Sequence, residues 1–256
     1  MSRIRRIVII DEIRGFLVIS MMMYHFMYSF QYIFAINPEV DFFEFAITKW
    51  IQIAISTSFI FISGFSSCKS KNILKRGWRL MLVAVAISLT TYAVLPGEFI
   101  AFGILHFLAA CMILYGITKS IFGHDIINKN KNPLIITVIC AFLLIICYNI
   151  QSGYIGIQGV FEVEIPKLFY MNTLTSIIGF PNTSFVSADY FPLIPFGFAF
   201  TGGVFFESYF KKIKLPENAY EEHSKTLNFI GIHSFAFYIL HQPVILAVLF
   251  LYTSIV

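Results

Sequence analysis

IDEIRGFLVISMMMYHFM, residues 10–27, opens with three charged side chains and carries a histidine deep in the apolar run that follows. Arg14 and His25 are eleven residues apart. In a helix that spacing is about three turns plus roughly 20°, so the two side chains share one face about 16 Å apart. An arginine and an imidazole in apolar surroundings are costly, and inside a membrane they point to a bundle interior or a wet cavity. The stretch decides the fold because it is either a cleaved leader or a first span. SRIRR before an apolar run imitates a signal peptide, but Asp11, Glu12 and Arg14 interrupt it and no small-residue cleavage site follows. The expectation is a retained first span.

Composition agrees. The chain is 58% hydrophobic and 12% charged, with mean hydropathy +0.79, against roughly 25% charged in soluble domains. This is the composition of an integral membrane protein. Its 256 residues supply several spans of about 20 residues and leave too little polar sequence for a separate soluble domain. A single membrane domain over residues 1–256 is expected, with membrane lipids as its surroundings. The net charge of +4 does not indicate nucleic acid, because the basic residues lie in short loops between apolar runs.

Apolar runs at 15–35, 46–68, 78–95, 99–118, 133–150, 191–210 and 227–255 predict an all-α polytopic bundle of about seven transmembrane helices. Cytoplasmic loops collect Lys and Arg. Placing the N-terminus in the cytoplasm gathers Arg3, Arg5 and Arg6, then Lys69, Lys71, Lys75, Arg76 and Arg79, then Lys119, Lys129 and Lys131, and finally Lys211, Lys212, Lys214 and Lys225 on one side. The opposite loops keep only Lys167, while Arg14 and Lys49 belong to helix ends. The expected topology is therefore N-in and C-out, with the long connection 151–190 extracytoplasmic, where it can lid a site.

Four histidines fall inside these spans: His25, His106, His233 and His241. They are candidates to converge in one cavity, and each is also able to act as a hydrogen-bonding link between helices. Arg14 can bind a ligand or pair with Asp11 at i, i+3. Lys75, Arg76 and Arg79 in KSKNILKRGWRL satisfy the charge rule, and they also suit an anionic cytosolic ligand, since guanidinium groups bind phosphate bidentately. In SADYFPLIPF, Asp189 can cap the helix that follows or face an acceptor in the outer vestibule. Cys68, Cys111, Cys140 and Cys147 show neither a CxxC pair nor metal-ligand spacing, and no HExxH occurs. They read as small buried hydrophobes, and no metal is expected.

IDEIRGFLVISMMMYH resembles the opening of the small bacterial relatives of the heparan-α-glucosaminide N-acetyltransferase catalytic domain. FIFISGFS, KRGWRLMLVAVAISLTTY, FGILHFL, DYFPLIPF and HSFAFYILHQPV match further blocks in the same order. Arg14 and His25 with ten residues between them, together with the late YILHQP, are also similar to membrane acyltransferase family three. The resemblance covers nearly the whole chain. It implies acyl transfer across a bacterial plasma membrane, from cytosolic acetyl-CoA to an extracytoplasmic glycan or glycolipid acceptor. Under it, His25 is the catalytic base, or else the nucleophile of an acetyl-histidine intermediate. Arg14, Lys75, Arg76, Arg79 and His106 are donor-binding candidates, and Asp189, His241 and Gln242 are acceptor-binding candidates. The lysosomal members carry Asn where this chain has His25, and their proposed catalytic His falls where this chain has Ile36. Their mechanism is therefore not carried over. The rival is a transporter or glycan exporter whose histidines relay protons, although neither internal repeats nor paired broken helices are visible.

Overall fold

The computed structural model describes residues 6–36, 41–123 and 132–255. Arg3, Arg5, Lys129 and Lys131 of the charge count lie outside them. The chain is mostly helical: α1 (Val8–Tyr28), α2 (Ala46–Ser67), α3 (Ile73–Val94), α4 (Ile104–Phe122), α5 (Pro133–Ile146), α6 (Leu193–Phe210), α7 (Lys225–Ile232) and α8 (Ser234–Ile255). A two-stranded sheet, β1 (Tyr154–Ile157) and β2 (Phe161–Glu164), interrupts the helices. Among the described residues six helices, α2 to α6 and α8, are long and apolar enough to cross a membrane, α5 with its following turn. α1 has the length, at 21 residues, but carries Asp11, Glu12 and Arg14 in its first two turns. It is the seventh long helix expected.

Two boundaries differ from expectation. α3 begins at Ile73 rather than at 78, so Lys75, Arg76 and Arg79 all stand on its first two turns, at the start of the helix. The last expected span is divided at His233, which ends α7 before α8 begins. His233 is exposed and its ring lies 4.7 Å from that of Phe229.

The chain forms two compact units. The first comprises Met1–Phe59 with Lys214–Val256. Here α1 packs on α7 and α8, and the α1–α7 crossing is built on glycine. A Cβ at Gly15 would strike the Leu227 carbonyl, and one at Gly231 would strike the Asp11 carbonyl. Absent side chains let the two backbones touch. The two buried carboxylates beside this crossing find partners close by. Glu12 Oε1 accepts the backbone N–H groups of His223 and Ser224, each at 2.7 Å. Ser224 in turn caps α7 through its hydroxyl, which accepts from the Leu227 N–H. Asp11 accepts from Arg6 Nε at 2.7 Å and from the Arg14 guanidinium at 2.9 Å.

The second unit is Ile60–Ile213. α3 packs on α4 and α5 on α6, and the later part of α2 meets α6 through a second glycine pair. A Cβ at Gly64 would enter the Phe200 carbonyl, and one at Gly203 the Phe61 carbonyl. The long connection between α5 and α6 is ordered into a 3-10 turn (Tyr148–Ser152), the β1–β2 hairpin and two further 3-10 turns. Its last residues are tied to the segment entering α4. The Ala188 N–H donates to the Phe99 carbonyl, the Phe191 N–H to the Phe102 carbonyl, and Phe102 and Tyr190 form a parallel bridge.

Candidate functional site

In the first unit α1 and α8 bring together His25 and His241. Their ring centroids are 4.8 Å apart and the planes tilt by 55°. His241 is 7% exposed, and its Nδ1 lies 2.6 Å from the Tyr238 carbonyl oxygen. A carbonyl only accepts, so Nδ1 carries the proton and Nε2 keeps a bare lone pair. That Nε2 is buried and has no hydrogen-bond partner among the described residues. The neighbouring amide of Gln242 meets the Ser29 hydroxyl at 3.0 Å with one end, while its other end is buried without a partner. Buried polar atoms are nearly always paired. Two unpaired ones among the described residues lie beside the histidine pair.

Ser29 begins a π-helical turn, Ser29–Ile33, at the end of α1. Such turns break the regular carbonyl ladder and recur at functional sites. Tyr24 stands edge-on to His25, with centroids 5.9 Å apart, and Tyr238 packs against His241 at 5.5 Å. One wall of the pair is therefore aromatic.

The donor-binding candidates do not form one group. Lys75, Arg76 and Arg79 are exposed and form no ion pair among the described residues, at the positive end of the 22-residue α3. The three cations and the helix N-terminus together make this end of α3 strongly positive. Arg14 differs, since its guanidinium is engaged by the Asp11 carboxylate. His106 stands at the far end of α3 from the basic cluster. The Ser88 hydroxyl donates to the Ile100 carbonyl at 2.6 Å, so the contact of 3.3 Å between Ser88 Oγ and His106 Nε2 has the histidine as donor. Ser88 is twelve residues from Arg76, which is about 18 Å along the helix.

Asp189 also finds a partner other than the expected one. Its carboxylate does not cap α6, whose N-cap is Pro192; it accepts the Ile104 N–H at 2.9 Å and so caps α4 from 85 residues away. Gly103 makes room, since a Cβ there would collide with Asp189 Oδ2. Although the residue keeps some exposed surface, burial of the carboxylate pushes its pKa up to about 6, against the opposing pull of the Ile104 N–H. Ser187 completes the strap by accepting the Ala101 N–H.

Residues 6–243 match the family model described as heparan-alpha-glucosaminide N-acetyltransferase, catalytic. The chain belongs to that family. No curated protein and no solved structure gives a match. The match takes in both units and ends two residues after His241, so its range spans the histidine pair, the basic start of α3 and the Asp189 strap of this member of the heparan-alpha-glucosaminide N-acetyltransferase catalytic family. Six apolar helices and this membership make the chain an integral membrane protein.

Sequence reasoning singled out His25, His241 and Gln242 but had no way to join them. It missed Glu12 as an anchor and Ser29 as the Gln242 partner. For Glu12 a signal existed, since a carboxylate inside an apolar run needs a donor. For Ser29 there was none, because serine is unremarkable in such a run.

Proposed function

We propose that the chain is an acyl-CoA-dependent membrane acyltransferase that moves an acetyl group from cytosolic acetyl-CoA to an amine or hydroxyl of an extracytoplasmic glycan or glycolipid. The proposed setting is a bacterial plasma membrane with the N-terminus cytoplasmic. The observation that carries this reading is the His25–His241 pair with its unpaired Nε2, in a chain whose family is named for an N-acetyltransferase.

His25 is the general base. The acceptor's lone pair attacks the thioester carbonyl carbon, its proton passes to the His25 imidazole, the C–S bond breaks, and the proton leaves with the CoA thiolate. A positioned base of this kind contributes about 10²–10⁴-fold. His241 is a positioning residue: its pinned tautomer holds an acceptor atom next to His25, ready for an N–H or O–H of the incoming group. Gln242 offers the free end of its amide to the same guest. Lys75, Arg76 and Arg79 hold the donor's phosphates, and Arg14, already ion-paired, serves at most as a partner through Asp11. His106 and Asp189 belong to the α4 entry, with Asp189 on the acceptor side.

The test is transfer itself. Purified protein in lipid, given acetyl-CoA labelled in the acetyl group and a panel of amino sugars and glycolipids, should release free thiol in step with label in the acceptor. If folded protein releases no thiol but drives proton-coupled solute uptake into vesicles, the transporter reading replaces this one.

A further inference from the structure

The β1–β2 hairpin is amphipathic, and its apolar face is uncovered. Register pairs Tyr154 with Glu164, Ile155 with Val163, Gly156 with Glu162 and Ile157 with Phe161. Side chains of directly paired residues share a face. One face therefore carries Ile155, Ile157, Phe161 and Val163, and the other carries Tyr154, Glu162 and Glu164. Val163 is 61% exposed, and Val160 at the tip 76%. A two-stranded hairpin with no third layer is marginal in water, and this one leaves Ile157, Phe161 and Val163 of its apolar side exposed while Ile155 is half-buried.

Its location restricts what can cover that side. The hairpin is fastened to the turn that directly follows α5: the Ile165 N–H donates to the Gly153 carbonyl at 2.8 Å, the Asn149 amide to the Gly156 carbonyl at 3.2 Å, and the Tyr170 hydroxyl to the Ile150 carbonyl at 2.5 Å. The base of the hairpin, Tyr154, thus stands eight residues after Ile146, the last residue of α5. On that span Val138, Phe142 and Ile145 are exposed and apolar, as lipid-facing residues are. The exposed apolar residues of α5 are thus followed, one turn later, by the exposed apolar residues of the hairpin. On the hairpin's other face the glutamates are placed for water. An element with this sidedness, held at the level where a span leaves the hydrocarbon, suits the headgroup–acyl boundary.

We propose that the β1–β2 hairpin lies in the membrane interface, its Ile155–Ile157–Phe161–Val163 face in lipid and its Glu162–Glu164 face in water, on the side where α5 ends. This requires the spans but not the proposed activity. The occupant is phospholipid; a second copy of the chain or another protein is the competing cover.

Photo-crosslinking separates these. Phe161, Glu162, Val163 and Glu164 are replaced one at a time by benzoyl-phenylalanine in the full chain, which is reconstituted in radiolabelled phosphatidylcholine and irradiated. Positions 161 and 163 should form lipid adducts, while 162 and 164 should stay at background. Equal labelling at all four positions, no lipid adduct at 161 and 163, or a crosslinked dimer in place of lipid would overturn the proposal. Val160→Trp gives a second reading if a photo-variant does not fold. Its added fluorescence should be quenched by lipid brominated close to the headgroup, and unquenched added fluorescence also overturns the proposal.

Discussion

His25 and His241, 216 positions apart in the chain, lie ring against ring at 4.8 Å, and the nitrogen that His241 leaves bare is buried. Replacing His25 with Ala should preserve acetyl-CoA binding and reduce transfer by about 10²–10⁴-fold, the loss typical of a missing general base. His233→Ala should lower stability more than turnover, because that ring packs, tilted, against Phe229 where α7 ends. Calorimetric binding of acetyl-CoA beside a transfer assay checks both. Near-normal transfer by a folded His25→Ala protein would remove the proposed role.

The double variant Arg76→Ala, Arg79→Ala should weaken acetyl-CoA binding by about 1.5–3 kcal/mol for each charge-assisted hydrogen bond lost. Abundance should hardly change, because both side chains are exposed. Unaltered affinity in the folded double variant would leave those arginines with an orienting role alone.

Gly231→Ala should destabilise the α1–α7 crossing, since the new methyl group meets the Asp11 backbone rather than a movable side chain. Overpacking of this kind typically costs about 1–3 kcal/mol. Gly97→Ala, where nothing lies within 4 Å, is the control. Thermal unfolding in detergent should separate the two, and equal midpoints would mean that the backbones part easily.

Asp189 gives a pH dependence with a definite sign. Burial raises its pKa from 3.8 to about 6 in the folded chain, so the folded state binds this proton more tightly than the unfolded state. The resulting stability is fully present below about pH 4 and is lost as pH rises toward 6. Asp189→Asn keeps an acceptor for the Ile104 N–H and cannot ionise. Its unfolding midpoint should therefore fall less than that of the natural chain between pH 4 and 6. Parallel curves for the two proteins would show that this carboxylate does not titrate in that range.

Topology is open to cysteine labelling. Residues 69–77 and 212–224 should react from the cytosol and 151–189 from outside, as the distribution of Lys and Arg requires. Labelling of 151–189 from the cytosol alone would reverse the proposed sides of donor and acceptor.

The sequence by itself determined that the chain spans a membrane and roughly where, because a run of about 20 apolar residues is a local property that needs no partner to be recognised. It also supplied the candidate residues, since an ionisable group in an apolar run stands out wherever it ends up. Helix ends were less legible. Nothing local stops α3 from starting at Ile73 instead of 78, or α7 from ending at His233, because those ends depend on caps and packing. Only the tertiary structure decided which polar groups meet. It set His25 against His241, sent Glu12 to His223 and Ser224, and turned Asp189 from α6 to α4. A buried carboxylate or imidazole advertises that it needs a partner, but the identity of that partner follows from which helices approach. That in turn rests on glycines such as Gly15 and Gly231, whose role is visible only when a second backbone lies against them.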